Sequence, residues 1–152
     1  MSVIQIDTRE KENGEVINYF DKIYQKYFVS KLYAGDYLDI NSGNVVIDLK
    51  ADLVELANNL TKQHDRFKRE IKRAKSEMGC RFVVLIREDL KSLEDVKEWQ
   101  SPKRKNGKPL TQIKGETLYA IMKTMQIRYG VEWQFCNRDD AGKKILEILQ
   151  IK

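Results

Sequence analysis

Asp36 follows Gly35, and farther along the chain Asp48 and Lys50 stand two positions apart near the end of an apolar run. Two carboxylates and one ammonium brought together could hold a magnesium ion and cut a phosphodiester. Carboxylate oxygens are hard ligands that suit Mg²⁺ or Mn²⁺ far better than zinc. A cation so held polarises a phosphate oxygen and stabilises the leaving oxygen, while Lys50 would sit beside the attacking water or the charge developing on phosphorus. Asp36, Asp48 and Lys50 are therefore the candidate catalytic residues. Asp36 and Asp48, with Asp7 as a further carboxylate, are the candidate metal ligands. The competing reading is plain: a salt bridge between Asp48 and Lys50 on an exposed strand, with Asp36 as a turn residue.

The chemistry depends on the elements that carry these groups. Tyr37 to Ile40 and Val45 to Lys50 read as two strands joined by the turn residues Asn41-Ser42-Gly43-Asn44. That hairpin puts Asp36 near the start of one strand and Asp48 near the end of the other, close across the pair. Residues two apart on a strand share a side, so Asp48 and Lys50 face one way while Ile47 and Leu49 face the other and pack. Gly35 permits a tight backbone approach.

Around the hairpin the periodicity predicts a first strand over 3–6 ending at Asp7, a helix over 15–26 and a strand over 29–32. It predicts helices over 52–60 and 64–78, the second stopping at Gly79. Residues 81–86 form a continuous apolar strand of the kind buried on both faces. A short helix over 87–98, a Pro/Gly/Lys-rich loop over 101–114, a helix over 115–129, a strand over 131–136 and a helix over 139–149 complete the pattern. The loop is the candidate for local disorder. Strands alternating with helices predict one α/β domain, residues 1–152, with a mixed central sheet.

The chain has 152 residues, 41% of them hydrophobic and 34% charged, with 28 basic against 23 acidic side chains. No apolar stretch reaches the roughly 20 residues needed to span a bilayer, and no signal peptide is expected at an N-terminus that carries Asp7 and Glu10. The two cysteines, Cys80 and Cys136, lack metal-ligand spacing and read as reduced core thiols, which predicts a cytoplasmic setting. Positive charge is concentrated in two places. Arg66, Arg69 and Arg73 recur at helical spacing within a basic run from Lys62 to Lys75. Lys103, Arg104 and Lys105 lie in the loop. Basic blocks beside acidic ones suit a phosphate-handling protein, although a solvated surface looks similar.

Taken in order, IQIDTRE, LYAGDYLDI, VVIDLKADLVELANNL, RFKREIKRAK and FVVLI resemble the nuclease domain of the XPF/Hef structure-specific endonucleases. These belong to the restriction-endonuclease-like PD-(D/E)xK superfamily. The resemblance covers residues 3 to 87 and implies a three-layer fold, a mixed central sheet flanked by helices. It implies a Mg²⁺- or Mn²⁺-dependent DNA endonuclease of branched or junction DNA, nucleoid-associated, working as a homodimer in DNA repair or recombination. A phage-type resolvase acting in host cytoplasm is one such setting. It also implies a phosphate-binding role for Arg9. Arg66, Arg69, Arg73, Lys103, Arg104 and Lys105 are the other candidate DNA contacts.

The family pattern is Gly-Asp, then Glu-Arg-Lys, then an Asp four residues beyond the lysine. Asp48-Leu49 replaces the Glu-Arg pair here, and Val54 stands where the last acid belongs, leaving Asp52 or Glu55 as substitutes. No helix-hairpin-helix module is expected within these residues. The missing acid keeps open a catalytically inactive DNA-binding module as the alternative. A non-DNA α/β protein with an accidental motif is the third reading.

Overall fold

The computed structural model describes residues 2–11 and 13–151. Its centre is a six-stranded mixed sheet in the order β2-β1-β3-β4-β5-β6. The strands are β1 (Ile4–Ile6), β2 (Tyr27–Val29), β3 (Tyr37–Asp39), β4 (Val45–Lys50), β5 (Arg81–Arg87) and β6 (Glu132–Cys136). β1 runs parallel to β2 and antiparallel to β3, β3 is antiparallel to β4, and β4, β5 and β6 run parallel. The mixed α/β architecture expected of the sequence is the one found.

Alternation along the central strands splits the core into two layers. Val45, Ile47 and Leu49 of β4 pack with Val83 and Leu85 of β5 against α1 (Gly14–Lys22) and α5 (Ala141–Ile148). Val46 of β4 packs with Phe82, Val84 and Ile86 on the opposite face. That face is covered by α2 (Leu53–Thr61), α3 (His64–Lys72) and α4 (Gly115–Tyr129). Asp48 and Lys50 take the phase of Val46, so they point towards α2 and α3. All six residues of β4 are buried.

Several boundaries differ from the periodic reading, each for a local reason. Helix α1 stops at Lys22 because Tyr24 adopts a left-handed φ of 60°, and β2 consequently begins earlier, at Tyr27. The 64–78 segment is an α-helix only to Lys72 and widens into a π-helical turn over Arg73–Glu77. The 87–98 segment is helical only over Leu93–Glu98, as a 3-10 helix started by a Ser92/Asp95 capping box. The loop is not structureless. Lys103 and Pro109 form an antiparallel bridge, and the Arg104 amide donates to the Lys108 carbonyl at 2.7 Å. Cys80 and Cys136 are buried free thiols. Among the described residues, no helix is long and apolar enough to cross a membrane.

The hairpin is fixed at one glycine. Gly35 has φ 74°, and a Cβ there would lie 2.6 Å from Val46 Cγ2 and 3.2 Å from the Ile47 carbonyl oxygen. Beside it, the Asp36 amide donates to the Ile47 carbonyl at 2.7 Å. A side chain at position 35 meets both the steric cost of left-handed backbone and a clash with β4. Gly35→Ala should lower stability by about 1–3 kcal/mol in denaturant titration; a midpoint equal to the wild type's would show that the hairpin tolerates a wider approach.

Candidate active site

A cavity of about 340 Å³ opens where β3 meets β4, roofed by α2 and α3. Asp36, Asp48 and Lys50 all line it, as do Asp7 and Arg9 from the end of β1. Asp36 is placed by its own hydrogen bonds. Besides the amide bond to Ile47, its Oδ2 accepts from the Leu49 amide at 2.7 Å. Asp48 is 4% exposed, and its Oδ2 lies 3.0 Å from Lys50 Nζ. The Lys50 ammonium also stands 5.5 Å from the centre of the Phe67 ring on α3.

Crowding of charge sets the electrostatics. Burial, then repulsion from Asp48 and from Glu10, holds the Asp36 carboxyl well above the usual carboxylate range. Burial alone would lower the Lys50 pKa. Asp48, with Glu55 and Glu70 behind it, outweighs that effect and leaves the ammonium more basic than usual. Lys50 therefore stays charged at neutral pH.

Asp7 sits differently from the other two aspartates. Its Oδ1 accepts from the Leu32 amide at 2.8 Å, and its Oδ2 accepts from Arg9 Nε at 2.9 Å. Arg9 in turn donates to the Leu32 carbonyl at 3.3 Å. The pair anchors the end of β1 and presents Arg9 at the rim.

Arg66 on α3 and Arg73 at the start of the π-helical turn line the cavity, whereas Arg69 is turned away from it. Arg73 Nε donates to the Tyr33 carbonyl at 2.9 Å. Lys103, Arg104 and Lys105 are exposed on the loop and none lines the cavity. Of the two acids that follow Lys50, Asp52 caps α2, its Oδ1 accepting from the Glu55 amide at 2.9 Å. Glu55 instead lines the cavity, 3.9 Å from Lys50 Nζ.

Sequence reasoning missed Glu70. It lies one helical turn beyond Arg66 and shares its face, which was the available signal. Its Oε2 faces the Gly35 amide at 3.4 Å. Burial, then the Asp48 charge, pushes its carboxyl up to about 7.

Among the described residues, no three His, Cys, Asp or Glu side chains form a ready metal cluster. Asp36 and Asp48 nevertheless fit a magnesium-type ion, which is commonly held by one or two carboxylates, with water and substrate phosphate completing its shell. Asp48 Oδ2 is buried with no hydrogen bond beyond its ion pair with Lys50, and the repulsion that raises Asp36 is the kind a cation relieves.

The comparisons with known proteins bear on family and fold. The ERCC4 domain model matches residues 6–148. The structure of XPF from Aeropyrum pernix is similar with a TM-score of 0.67 at 16% identity, over 98% of this chain and 60% of that one. XPF from Aeropyrum pernix in complex with DNA gives a TM-score of 0.65 at 17% identity, over 98% of this chain and 63% of that one. At these identities the likeness is one of fold, and this chain spans about three-fifths of the length of those proteins. No curated protein matches it.

The buried acids make stability depend on pH. In the unfolded chain the Glu70 carboxyl ionises near 4.5, and in the folded protein near 7. Between those values the folded state holds more protons, so stability falls as pH rises. Asp36 acts in the same direction. In EDTA, the wild type should lose on the order of 2 kcal/mol between pH 5 and 7.5, and Glu70→Gln should lose clearly less. Equal pH slopes for the two proteins in urea titrations would remove Glu70 from this role.

Proposed function

Given that the chain belongs to the ERCC4 domain family, we propose that it is a divalent-metal-dependent DNA endonuclease. Its substrate is branched or junction DNA, cut in repair or recombination. The observation that carries this reading is the convergence of Asp36, Asp48 and Lys50 on one cavity whose rim bears Arg9, Arg66 and Arg73. Nothing in a plain strand salt bridge calls for a second, half-buried carboxylate held by the Leu49 amide.

Each residue has a part. Arg66 and Arg73 bind backbone phosphates flanking the scissile one and fix the strand's register. Arg9, braced by Asp7, does the same from the opposite rim. Asp36 and Asp48 would hold the ion, which supplies Lewis-acid polarisation of the scissile phosphate and stabilises the leaving oxygen. Lys50 directs its charge at the attacking oxygen and at the negative charge growing on phosphorus. Its ammonium is already fixed by Asp48 and by the Phe67 ring, so little reorganisation is needed as that charge develops. Glu55 keeps a second negative partner near Lys50 in the region where the family's last acid is missing.

A homodimer is part of the reading, since a two-fold protein suits a branched substrate. Ile127 on α4, 76% exposed, is an apolar residue available to such a contact. A single nuclease domain over these residues and a cytoplasmic, nucleoid-associated setting belong to the same proposal. Val54, at the position of the family's final acid, favours the second reading, a DNA-binding module without activity.

Incubation with four-way junctions, flaps and plain duplex in Mg²⁺, Mn²⁺ or EDTA separates the two. The enzyme should cut branched DNA in either metal and not in EDTA. Asp36→Asn, Asp48→Asn and Lys50→Ala should each lose at least about 10²-fold in rate while melting cooperatively. Salt-sensitive binding without cutting would establish the second reading. Undiminished cutting by the Asp48 or Lys50 variant would remove the site assignment.

A further inference from the structure

The basic run of α3 serves two clefts. Gln63, Arg66, Glu70 and Arg73 face the acidic cavity. At 3.6 residues per turn, Lys68 and Lys72 fall on the opposite side of the helix. There they join Arg69, Lys75 and the end of α4 around a separate groove of about 560 Å³.

We propose that this groove is a second binding site for nucleic-acid backbone, holding another arm of the branched substrate whose scissile strand lies in the acidic cavity. The proposal deepens the endonuclease reading and rests on it. Three observations support it.

The first is charge. Lys68, Arg69, Lys72 and Lys75 meet Arg128 across the groove, and Asp65 is the only acid among the lining residues. Among the described residues, none of the five cations stands in an ion pair. In the acidic cavity Arg9 and Lys50 are paired, while among the described residues Arg66 and Arg73 are not. Unpaired cations gathered in a concave surface attract a polyanion and release its counterions.

The second is construction. Lys75 Nζ donates to the Gly130 carbonyl at 3.3 Å, and a Cβ at Gly130 would lie 2.8 Å from that nitrogen. Glycine at the end of α4 thus lets Lys75 reach across the groove. Lys68 Nζ stands 5.7 Å from the centre of the Tyr129 ring. Burial works against ionising that phenol, yet Lys68 and Arg128 lower its pKa, a sign of how positive the groove is.

The third is geometry. The two clefts flank one helix, and a helix with its side chains is about 10–12 Å thick. DNA with a persistence length of about 150 bp resists folding over so narrow a ridge. A branch point supplies the change of direction at no bending cost, so two arms can occupy the two faces together.

The test compares wild type with K72E/R128E, both residues being exposed, and with the milder K72A/R128A. Fluorescence anisotropy in Ca²⁺ would measure affinity for a three-way junction and for a plain duplex of equal length. K72E/R128E should bind the junction about tenfold more weakly and the duplex no more than about threefold more weakly. K72A/R128A should show the same preference loss in smaller degree, with a shallower salt dependence on the junction. Equal losses on both DNAs, or no loss on either, overturn the groove. Wild type that cuts junctions while K72E/R128E keeps its junction preference removes this proposal alone. Wild type that neither binds nor cuts any DNA removes the endonuclease reading as well.

Discussion

The hydrogen bond from the Leu49 amide to Asp36 Oδ2, 2.7 Å long, is the constraint from which the site's geometry follows. It ties the carboxylate at the start of β3 to the backbone of β4, between Asp48 and Lys50. The return bond, from the Asp36 amide to the Ile47 carbonyl, closes the other side. The two strands therefore cannot slip against each other without breaking a half-buried polar pair. A one-residue slip would also turn Asp48 and Lys50 into the apolar layer formed by Ile47 and Leu49. Register and chemistry are fixed by the same atoms, and Gly35 allows the approach that makes both possible.

Burying this cluster has an electrostatic cost that the surroundings only partly offset. Asp7, Asp36, Asp48, Glu10, Glu55 and Glu70 line the cavity against Lys50, Arg9, Arg66 and Arg73, so carboxylates outnumber the cations that could balance them. The raised carboxyls of Asp36 and Glu70 are the sign of that excess. A fold that needed only stability would replace such a cluster with apolar side chains. Strand β4 is buried along its whole length, and it keeps Asp48 and Lys50 opposite the apolar Val84 and Ile86 of β5. Excess negative charge at a rigid, partly closed position is the condition in which a divalent cation binds with the least rearrangement of the protein.

What was legible in the sequence was whatever a short period or a local turn dictates. The side-chain period of a strand is two, so Asp48, Lys50 and Val46 had to share a face once β4 was recognised. Asn41 to Asn44 fixed the hairpin and with it the nearness of Asp36. Two kinds of feature lay beyond such reasoning. Tyr24 at φ 60° is a left-handed residue that is not glycine, its amide donating to the Asp21 carbonyl and that of Gln25 to the Phe20 carbonyl, so the end of α1 carried no glycine signal. Glu70 depended on how α3 is rotated against the sheet. Its partners are Gly35 and Asp48, far away in the chain, and the packing of Phe67, Ile71 and Ala74 against the sheet sets that rotation. The choice between Asp52 and Glu55 was similar, since a capping aspartate and a cavity-lining glutamate look alike until the first turn of α2 is built.

The same rotation explains why a charge run that reads as one block serves two surfaces. Phe67, Ile71 and Ala74 fix the buried side of α3, and every other position then has its direction. Arg66 and Arg73 are delivered to the cavity, while Lys68 and Lys72 go to the groove beside α4. The π-helical turn extends this division. It inserts an extra residue per turn just beyond Lys72, changing the phase so that Lys75 reaches Gly130. An uninterrupted α-helix would advance Lys75 by a fixed 100° per residue from Lys72. The widened turn still buries Ala74 with Phe67 and Ile71 while it gives the residues that follow a setting of their own. π-Turns are often found at functional sites, and here one lies where a single helix must present cations to two clefts.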